Sequence, residues 1–208
     1  MENSRQLIKI VLLGGPDVGK TKIMSEYIGK TSEDNSSTIG ANYSEKIITK
    51  NDTEYEINIW DTAGQEKFHS LGNHFYKDSY IIVLIYNIES YESLEELKKI
   101  WYPDVQKYAE KYIILAVVGN ERYSYECDSL VDEKEAKKFA EEIGASFHQV
   151  STKSGDGINK LFNDLIDRFL SPEFVKKYKE MTKKNEKVHD LEKEIIFKKR
   201  FRNKCDLF

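Results

Sequence analysis

The sequence predicts an α/β fold with a central, mostly parallel sheet. Short apolar runs alternate along the chain with amphipathic segments, which is the pattern of strands joined by crossover helices. Six runs have strand character, and two of them are separated by a short turn. At 208 residues, the chain is long enough for one domain with a sizeable core plus an extension. We therefore expect six strands, with one antiparallel hairpin at the edge and helices on both faces.

The first half of the chain supplies four of the strands. The apolar run 7–13 predicts the first strand, and 20–28 has helical character. Two β-rich runs, 43–49 and 54–61, flank a turn-rich tetrapeptide and predict the hairpin. The continuous apolar run 81–85 predicts a strand that is buried on both faces.

The second half continues the alternation. Apolar residues at helical spacing predict a helix within 91–111, and 113–118 predicts another buried strand. Asp132 is placed to cap a helix over 133–143, which a short strand at 146–150 follows.

A last helix over 157–170 completes the body. Ser171 and Pro172 then have the residue types of a new helix start, with serine as the N-cap and proline at the first helical position. We therefore predict a body at 1–171 and a separate tail at 172–208.

Charge separates the body from the tail. The net charge of −4 gives no general attraction to nucleic acid. Residues 173–208 contain 12 Lys and Arg and 7 Asp and Glu, a charge of +5, which leaves −9 for the rest of the chain. A basic tail on an acidic body indicates that the tail meets an anionic surface. The two cysteines, Cys127 and Cys205, indicate a reducing compartment rather than a disulfide framework.

The turn after the first strand carries the strongest chemical signal. It reads G-x-x-x-x-G-K-[ST] from Gly14 to Thr21 and lies between a strand and a helix, as a phosphate-binding loop requires. Its glycines allow backbone N–H groups to surround an anion, and the helix N-terminus favours negative charge. The motif predicts the three-layer fold of P-loop NTPases and these nucleotide-binding residues: Gly15, Pro16, Asp17, Val18, Gly19, Lys20 and Thr21.

A second motif, D-T-A-G-Q-E at 61–66, follows a predicted strand. In an open α/β sheet, ligands lie at the carboxyl ends of the strands, where the phosphate loop also lies. Thr21 and Asp61 are therefore expected to hold Mg²⁺, Asp61 through water. The N–H of Gly64 is placed to meet a γ-phosphate, and Gln65 is the candidate catalytic residue because it is able to orient an attacking water.

The two motifs together resemble those of Ras-superfamily small GTPases, and within them the Rab proteins. Trp60 before the second motif and the run 66–72 are similar to Rabs of the endosomal branch. The resemblance implies binding of GTP and GDP with Mg²⁺, slow GTP hydrolysis, and switched effector binding in vesicle and endosomal membrane trafficking. It also implies a monomer, in the cytosol and on the cytoplasmic face of an endomembrane. Its switch regions would meet effectors, an exchange factor and a GTPase-activating protein.

The resemblance also assigns roles to single residues. Ser37–Gly40 resembles the first Rab switch, which makes Thr38 a nucleotide-binding residue and the second hydroxyl ligand of Mg²⁺. The effector surface would comprise Ile39 and an aromatic triad of Tyr43, Trp60 and Phe75. If not part of that surface, Trp60 and Phe75 would be core residues. The tripeptide Ser151, Thr152 and Lys153 resembles the loop that lies against the guanine base.

The base-reading motif departs from the family. The family sequence N-K-x-D is here Asn120, Glu121, Arg122 and Tyr123. The missing aspartate normally accepts two hydrogen bonds from guanine, and charge-assisted bonds of this kind are worth about 1.5–3 kcal/mol each. We therefore expect atypical and weakened recognition of the base.

The first switch and the phosphate loop also depart from the family pattern. The first switch is one residue shorter than is usual, and 29–37 has no aromatic residue to stack on guanine. Pro16 would also leave little room for the arginine finger of an activating protein.

The C-terminal tail carries two membrane signals. Cys205 is fourth from the end and fits a prenylation motif whose last residue favours geranylgeranyl. A basic cluster precedes it at 198–204, and a polybasic patch supplies the second signal that one lipid chain needs. The tail as a whole is open to two interpretations. A helix is one, because apolar residues recur at helical spacing from Phe174 onward; a solvated, partly disordered tail is the other, and the charge density favours it.

The leading hypothesis for function is thus an atypical Rab-like GTPase that cycles. The main alternative is a Rab-like adaptor that binds partners regardless of nucleotide. The segment 120–123 distinguishes the two hypotheses, because cycling requires a working base pocket there and an adaptor does not. Intact Thr21, Thr38 and Gln65 favour cycling, because a protein without nucleotide chemistry would have no need of them. An ATPase or small kinase is a third interpretation, against which the motif at 61–66 argues.

Overall fold

The computed structural model describes residues 6–30, 41–62, 73–122 and 130–181. Six strands form one sheet: β1 (Gln6–Leu13), β2 (Ala41–Lys50), β3 (Thr53–Thr62), β4 (Ile81–Asn87), β5 (Ile114–Glu121) and β6 (Ser146–Ser151). Their order is β2-β3-β1-β4-β5-β6. All neighbouring pairs are parallel except β2 and β3. The predicted six-stranded sheet with an antiparallel edge hairpin is confirmed.

Helices connect the strands. They are α1 (Lys20–Ile28), α2 (Asn73–Tyr76), α3 (Tyr91–Glu96), α4 (Tyr102–Tyr108), α5 (Glu133–Glu142) and α6 (Ile158–Leu170). The short α2 was not predicted. Asp132 caps α5 as expected, since its carboxylate accepts a hydrogen bond of 2.9 Å from the N–H of Lys134.

The predicted helix 91–111 is one helical segment with an irregular centre. A π-helical turn at Leu97–Trp101 joins α3 to α4, and the N–H of Tyr102 donates to the carbonyl of Leu97, five residues back. Pro103 follows in the first turn of α4. Proline has no N–H, and its ring clashes with the carbonyl four residues before it, so a wider turn ahead of it relieves the conflict.

The edge hairpin ends in a two-residue turn. Asn51 and Asp52 both have positive φ, 50° and 57°. Positive φ at both central residues is the type I′ geometry, whose twist matches that of the flanking strands. The turn sets the register in which Tyr43 lies opposite Trp60.

Apolar side chains cover both faces of the sheet. One face packs against α3, the π-helical turn, α4 and α5 through Val11, Leu84 and Val117. Their sequence neighbours Leu12 and Val83 point the opposite way, as strand geometry requires, and are fully buried as well. On that side, Tyr27 of α1 stacks on Phe162 of α6 with ring centroids 3.9 Å apart. The predicted helices on both faces are thus confirmed.

The chain divides into two compact units, Met1–Asp167 and Arg168–Phe208. In the second unit a further helix, α7, spans 172–181. Its N-cap is the predicted Ser171, whose hydroxyl accepts from the N–H of Phe174 at 3.2 Å. The helical interpretation of the tail is confirmed over 172–181, and the rest of the tail lies outside the described residues. The domain boundary at 171 stays a prediction. None of the helices in the described part of the chain is both long and apolar enough to cross a membrane.

Candidate nucleotide-binding site

The predicted site residues that the structure describes gather at one edge of the sheet. The five parallel strands end there, and the order of strands reverses direction at β1, which lies between β3 and β4. Such a reversal opens a crevice at the carboxyl ends of the strands. The hydroxyl of Thr62 donates to the carbonyl of Leu12 at 2.9 Å and so fixes the end of β3 beside the phosphate loop.

Two glycines make the path of the phosphate loop feasible. Gly14 has φ of 150°, and a Cβ there would lie 2.2 Å from the carbonyl oxygen of Ile85. Gly19 has φ of 92°, and a Cβ there would lie 2.3 Å from Nδ2 of Asn120. Both positions require a backbone that other residues rarely adopt and space that a side chain would fill. The path of the loop therefore requires glycine at 14 and 19.

The loop opens onto the N-terminus of α1. Gly19 is the N-cap of this helix; among the described residues no side chain caps it, and its first turn has no acidic residue. The first N–H groups of a helix lack partners within the helix and carry partial positive charge. This end of α1 thus has the chemistry of an anion site.

Lys20 lies inside the loop rather than in solvent. Its ammonium donates to the carbonyls of Gly14 and Gly15, both at 2.8 Å, and its side chain is buried. Burial lowers the pKa of Lys20 to about 8, and the nearby carboxylates Asp61, Asp17 and Glu96 oppose that shift. A desolvated ammonium with carbonyl partners is suited to exchange them for phosphate oxygens.

The expected Mg²⁺ ligands lie beside this lysine. The hydroxyl of Thr21 donates to Oδ2 of Asp61 at 2.5 Å, and Asp61 is fully buried at the end of β3. Both atoms are hard oxygen donors, the class that Mg²⁺ prefers, and Mg²⁺ commonly takes one or two protein oxygens together with phosphate and water. The two residues present therefore fit the ion.

Asn120 connects the phosphate loop to the loop after β6. Its amide donates to the carbonyl of Val18 at 2.8 Å, and its side-chain oxygen accepts from the N–H of Thr152 at 3.2 Å. Asn120 is fully buried, and Ser151 and Thr152 are buried beside it, whereas Lys153 is exposed. The structure thus brings three separate predicted segments together around one side chain.

The end of β5 differs from its predicted position. The strand runs to Glu121 instead of ending at 118, because its pairing with β6 continues to Ser151. Successive side chains in a strand point to opposite faces. Asn120 faces the phosphate loop, and Glu121 lines a cleft of about 240 Å³ with Gly119 and Asp156. Glu121 is therefore not directed at the loop.

Two charged residues of the site were not predicted. Arg122 has its Cδ 3.7 Å from the position of a Cβ on Gly19, and Glu96 has its carboxylate 2.1 Å from the position of a Cβ on Gly15. A two-residue periodicity from Asn120 would have indicated Arg122. The approach of Glu96 depends on the packing of its helix against β4, for which the sequence has no local signal.

The aromatic triad is assembled on the described surface. The ring centroids of Tyr43 and Trp60 are 5.0 Å apart, and those of Trp60 and Phe75 are 5.9 Å apart. Tyr43 is 42% exposed, whereas Trp60 and Phe75 are partly buried against the core. The ammonium of Lys9 lies 5.3 Å from the Trp60 ring centroid. Trp60 and Phe75 thus pack against the core without being fully buried. The role of the triad in effector binding stays a prediction.

Several predicted residues lie outside the described part of the chain: Thr38, Ile39, Gly64, Gln65, Tyr123 and Cys205. Their roles remain predictions.

Comparison with known proteins gives consistent matches. A family model described as the Ras family matches residues 9–171. The chain is 36% identical over 163 residues to Ras-related protein Rab-21 of Homo sapiens, an alignment that covers 78% of this chain and 72% of that protein. It is 34% identical over 161 residues to Ras-related protein Rab5 of Nicotiana tabacum, with coverage of 77% and 80%. It is 33% identical over 171 residues to Ras-related protein Rab-5A of Dictyostelium discoideum, with coverage of 81% and 84%.

Proposed function

This chain belongs to the Ras family as a Rab-like small GTPase, and from that premise we propose that it binds and hydrolyses GTP with atypical recognition of the base. The observation that carries the proposal is the buried Lys20 ammonium inside the phosphate loop, next to the Thr21–Asp61 hydrogen bond. Polyphosphate and Mg²⁺ are the ligands for which this combination of ammonium, hydroxyl and carboxylate is suited. We further propose that nucleotide exchange switches effector binding in vesicle and endosomal membrane trafficking.

Different residues of the site would bind the phosphates and the metal ion. Lys20 would neutralise the β- and γ-phosphates, while the backbone N–H groups from Gly15 to Gly19 surround them. Thr21, Thr38 and Asp61 would hold Mg²⁺, Asp61 through water. Bound Mg²⁺ supplies neutralisation of charge on the phosphate oxygens.

Hydrolysis is assigned to Gln65. Its amide would orient the attacking water, and the N–H of Gly64 would bind the γ-phosphate. Positioning of this kind is the main contribution that a protein makes to phosphoryl transfer, which accounts for a slow intrinsic rate where an activating protein is absent.

Base recognition would rest on a reduced set of contacts. Asn120 is held by Val18 and Thr152, which supports an intact wall for the base pocket. Ser151, Thr152 and Lys153 form the neighbouring loop. The carboxylate of the family motif is replaced by Tyr123, whose phenol offers at most one acceptor. We therefore propose weaker GTP and GDP binding than is usual in the family and poor discrimination among purines.

Partners would bind at the switch regions and at the tail. The assembled triad of Tyr43, Trp60 and Phe75, with Ile39, is the proposed effector surface. A prenyl group on Cys205 and the basic cluster at 198–204 would attach the protein to the cytoplasmic face of an endomembrane. An exchange factor and a GTPase-activating protein complete the cycle of a monomeric protein.

The alternative is a Rab-like adaptor that does not cycle. The replacement at 123 favours it, because loss of two charge-assisted bonds lowers base affinity by several orders of magnitude. In that case the triad would bind partners in the same way with and without nucleotide.

Identification of the nucleotide that co-purifies with the protein tests the proposal. We expect purine di- and triphosphates by mass in wild type, with GDP and GTP among them, and less nucleotide in Thr21→Asn, which lacks a Mg²⁺ ligand. Tyr123→Asp combined with Glu121→Lys should tighten GDP binding and increase its preference over ADP. A nucleotide-free wild type without measurable affinity for GDP and Mg²⁺ would refute the proposed GTPase and leave the adaptor as the remaining hypothesis. Strong guanine selectivity in wild type, unchanged in the double variant, would show that another residue reads the base.

A further inference from the structure

Arg122 covers the end of the phosphate loop. It lies two residues after Asn120 and on the same side of the chain, and its Cδ is 3.7 Å from the position of a Cβ on Gly19. Its side chain is only 19% exposed. An arginine stem buried in this way packs against the loop and is not a solvated surface chain.

The guanidinium of Arg122 forms an ion pair with Asp17 in the loop. Its Nη1 is 3.9 Å from Oδ1 of Asp17, which is 91% exposed at the outer rim. Asp17 has φ of 57°, a left-handed conformation that costs most residues free energy. A charge partner directly after β5 therefore favours the conformation that the loop must hold.

Arg122 also alters the charge balance at Lys20. Arg122 and the carboxylates Asp61, Asp17 and Glu96 all lie within electrostatic range of the Lys20 ammonium. Because Asp17 is paired with Arg122, less of its negative charge is directed at an incoming phosphate.

We propose that Arg122 is a positioning residue of the nucleotide site, which fixes the phosphate loop through Asp17. It supplies, one residue later, the positive charge that the family motif has at position 121. Glu121 does not fulfil this role, because it is acidic and lines the cleft with Gly119 and Asp156. The inference rests on the proposed nucleotide binding for its effect on affinity, but the contact itself exists without nucleotide.

Binding of GDP and Mg²⁺ to variants tests the first consequence. Arg122→Ala should raise the Kd about tenfold, mainly through faster dissociation, and Arg122→Lys should recover most of the loss. Asp17→Ala should have a similar effect, and the double variant should be no weaker than the weaker single variant. A Kd that Arg122→Ala leaves unchanged, or single effects that add in full, would overturn the proposal.

Lys138→Ala is the matched control. It breaks another ion pair of 3.9 Å, with Glu142 on α5, away from the phosphate loop. This variant should bind GDP like wild type. The thermal midpoint without nucleotide should be the same within about 2 °C in Arg122→Ala and Lys138→Ala, which excludes general unfolding as the cause.

Hydrogen exchange without nucleotide separates this inference from the proposed function. In Arg122→Ala, amides of a peptide spanning 14–20 should exchange several-fold faster, and in Lys138→Ala they should exchange as in wild type. Faster exchange in a protein that binds no guanine nucleotide would support the contact and refute the proposed function. Unchanged exchange in a protein that does bind GDP would refute the role of Arg122 alone.

Discussion

Asn120 is the residue at which three segments of the site meet. It bridges the carbonyl of Val18 and the N–H of Thr152, and it is fully buried. The N–H of Thr152 also donates to the carbonyl of Glu121 at 3.0 Å. Loss of the Asn120 side chain would therefore leave chiefly the Val18 carbonyl without its partner.

We expect Asn120→Ala to lower the free energy of unfolding by about 2–3 kcal/mol, because a buried carbonyl loses its donor. The affinity for GDP should fall by at least about a hundredfold, since the phosphate loop is no longer held to β5. Urea unfolding and GDP titration measure the two effects. Asn87→Ala is the control, because Asn87 pairs with Asn120 across the sheet and among the described residues its side chain accepts from the N–H of Glu89 nearby. Equal losses in both variants would contradict a special role for Asn120.

His148 on β6 makes stability depend on pH. Burial lowers its pKa from 6.5, Asp164 opposes the shift and Lys160 adds to it, and the ring contacts the Ser146 hydroxyl at 3.0 Å. The folded protein therefore binds this proton less readily than the unfolded chain. Stability from this group is present above pH 6.5 and is lost as the pH falls from 6.5 through the lower folded pKa.

His148→Gln should reduce the acid sensitivity of the fold. Between pH 7.5 and 5.5 the thermal midpoint of wild type should fall further than that of the variant, because only wild type has this group to protonate. Above pH 7 the difference between the two midpoints should be constant. A parallel decline of both proteins down to pH 5.5 would mean that His148 makes no contribution.

At the scale of elements, the β2–β3 hairpin places the triad. Its register sets Tyr43 opposite Trp60, and register in a hairpin follows from the turn. Asn51 and Asp52 supply the two positive φ values, but a glycine at the second position would adopt this conformation without steric cost. The turn therefore has the geometry that the hairpin needs, but Asp52 is a less stable residue than glycine at this position.

Asp52→Gly should stabilise the protein by about 0.5–1 kcal/mol, because relief at positive φ exceeds the added flexibility of the unfolded chain. The thermal midpoint should rise by roughly 2–4 °C for each kcal/mol. Asp52→Val should have the opposite effect, since a β-branched residue tolerates positive φ poorly. If Asp52→Gly lowered the midpoint, backbone strain would not limit the turn.

At the scale of the whole molecule, the chain combines an acidic body with a basic tail. Residues 173–208 carry +5 within a chain of net charge −4. The cluster at 198–204 contains five cations: Lys198, Lys199, Arg200, Arg202 and Lys204. Each cation near an anionic leaflet adds about 1 kcal/mol of binding. One lipid chain contributes about 0.8 kcal/mol per buried CH₂ and by itself binds reversibly.

Stable membrane attachment should therefore need both signals. Cys205→Ser should leave the protein in the cytosolic fraction of a eukaryotic cell. Neutralisation of the five cations should leave the protein lipidated but weakly attached even at low salt, because a single lipid chain binds reversibly. Added salt should release wild type and change the attachment of this variant little, because only wild type has an electrostatic attraction to screen. The mass of the C-terminal peptide checks the modification. An unmodified Cys205 on a membrane-bound protein would reject the lipid anchor.

The sequence by itself determined the periodic and local features. Alternation of apolar runs predicted the six strands, and the glycine spacing from Gly14 to Gly19 predicted the phosphate loop, because both depend on neighbouring residues. The capping residues Asp132 and Ser171 were predicted for the same reason, since a cap acts on N–H groups two or three residues away. The resemblance of these motifs also identified the family.

Tertiary structure alone decided which distant residues meet. The bond from Asn120 to Val18 spans 102 positions, and it forms because the strand order places β5 two strands from β1, whose end leads into the phosphate loop. The extension of β5 to Glu121 depends on pairing with β6, and that extension turns Glu121 away from the loop. Arg122 forms its ion pair with Asp17 although 105 positions separate them. Such contacts have no local signal, because packing of the whole core sets the distances.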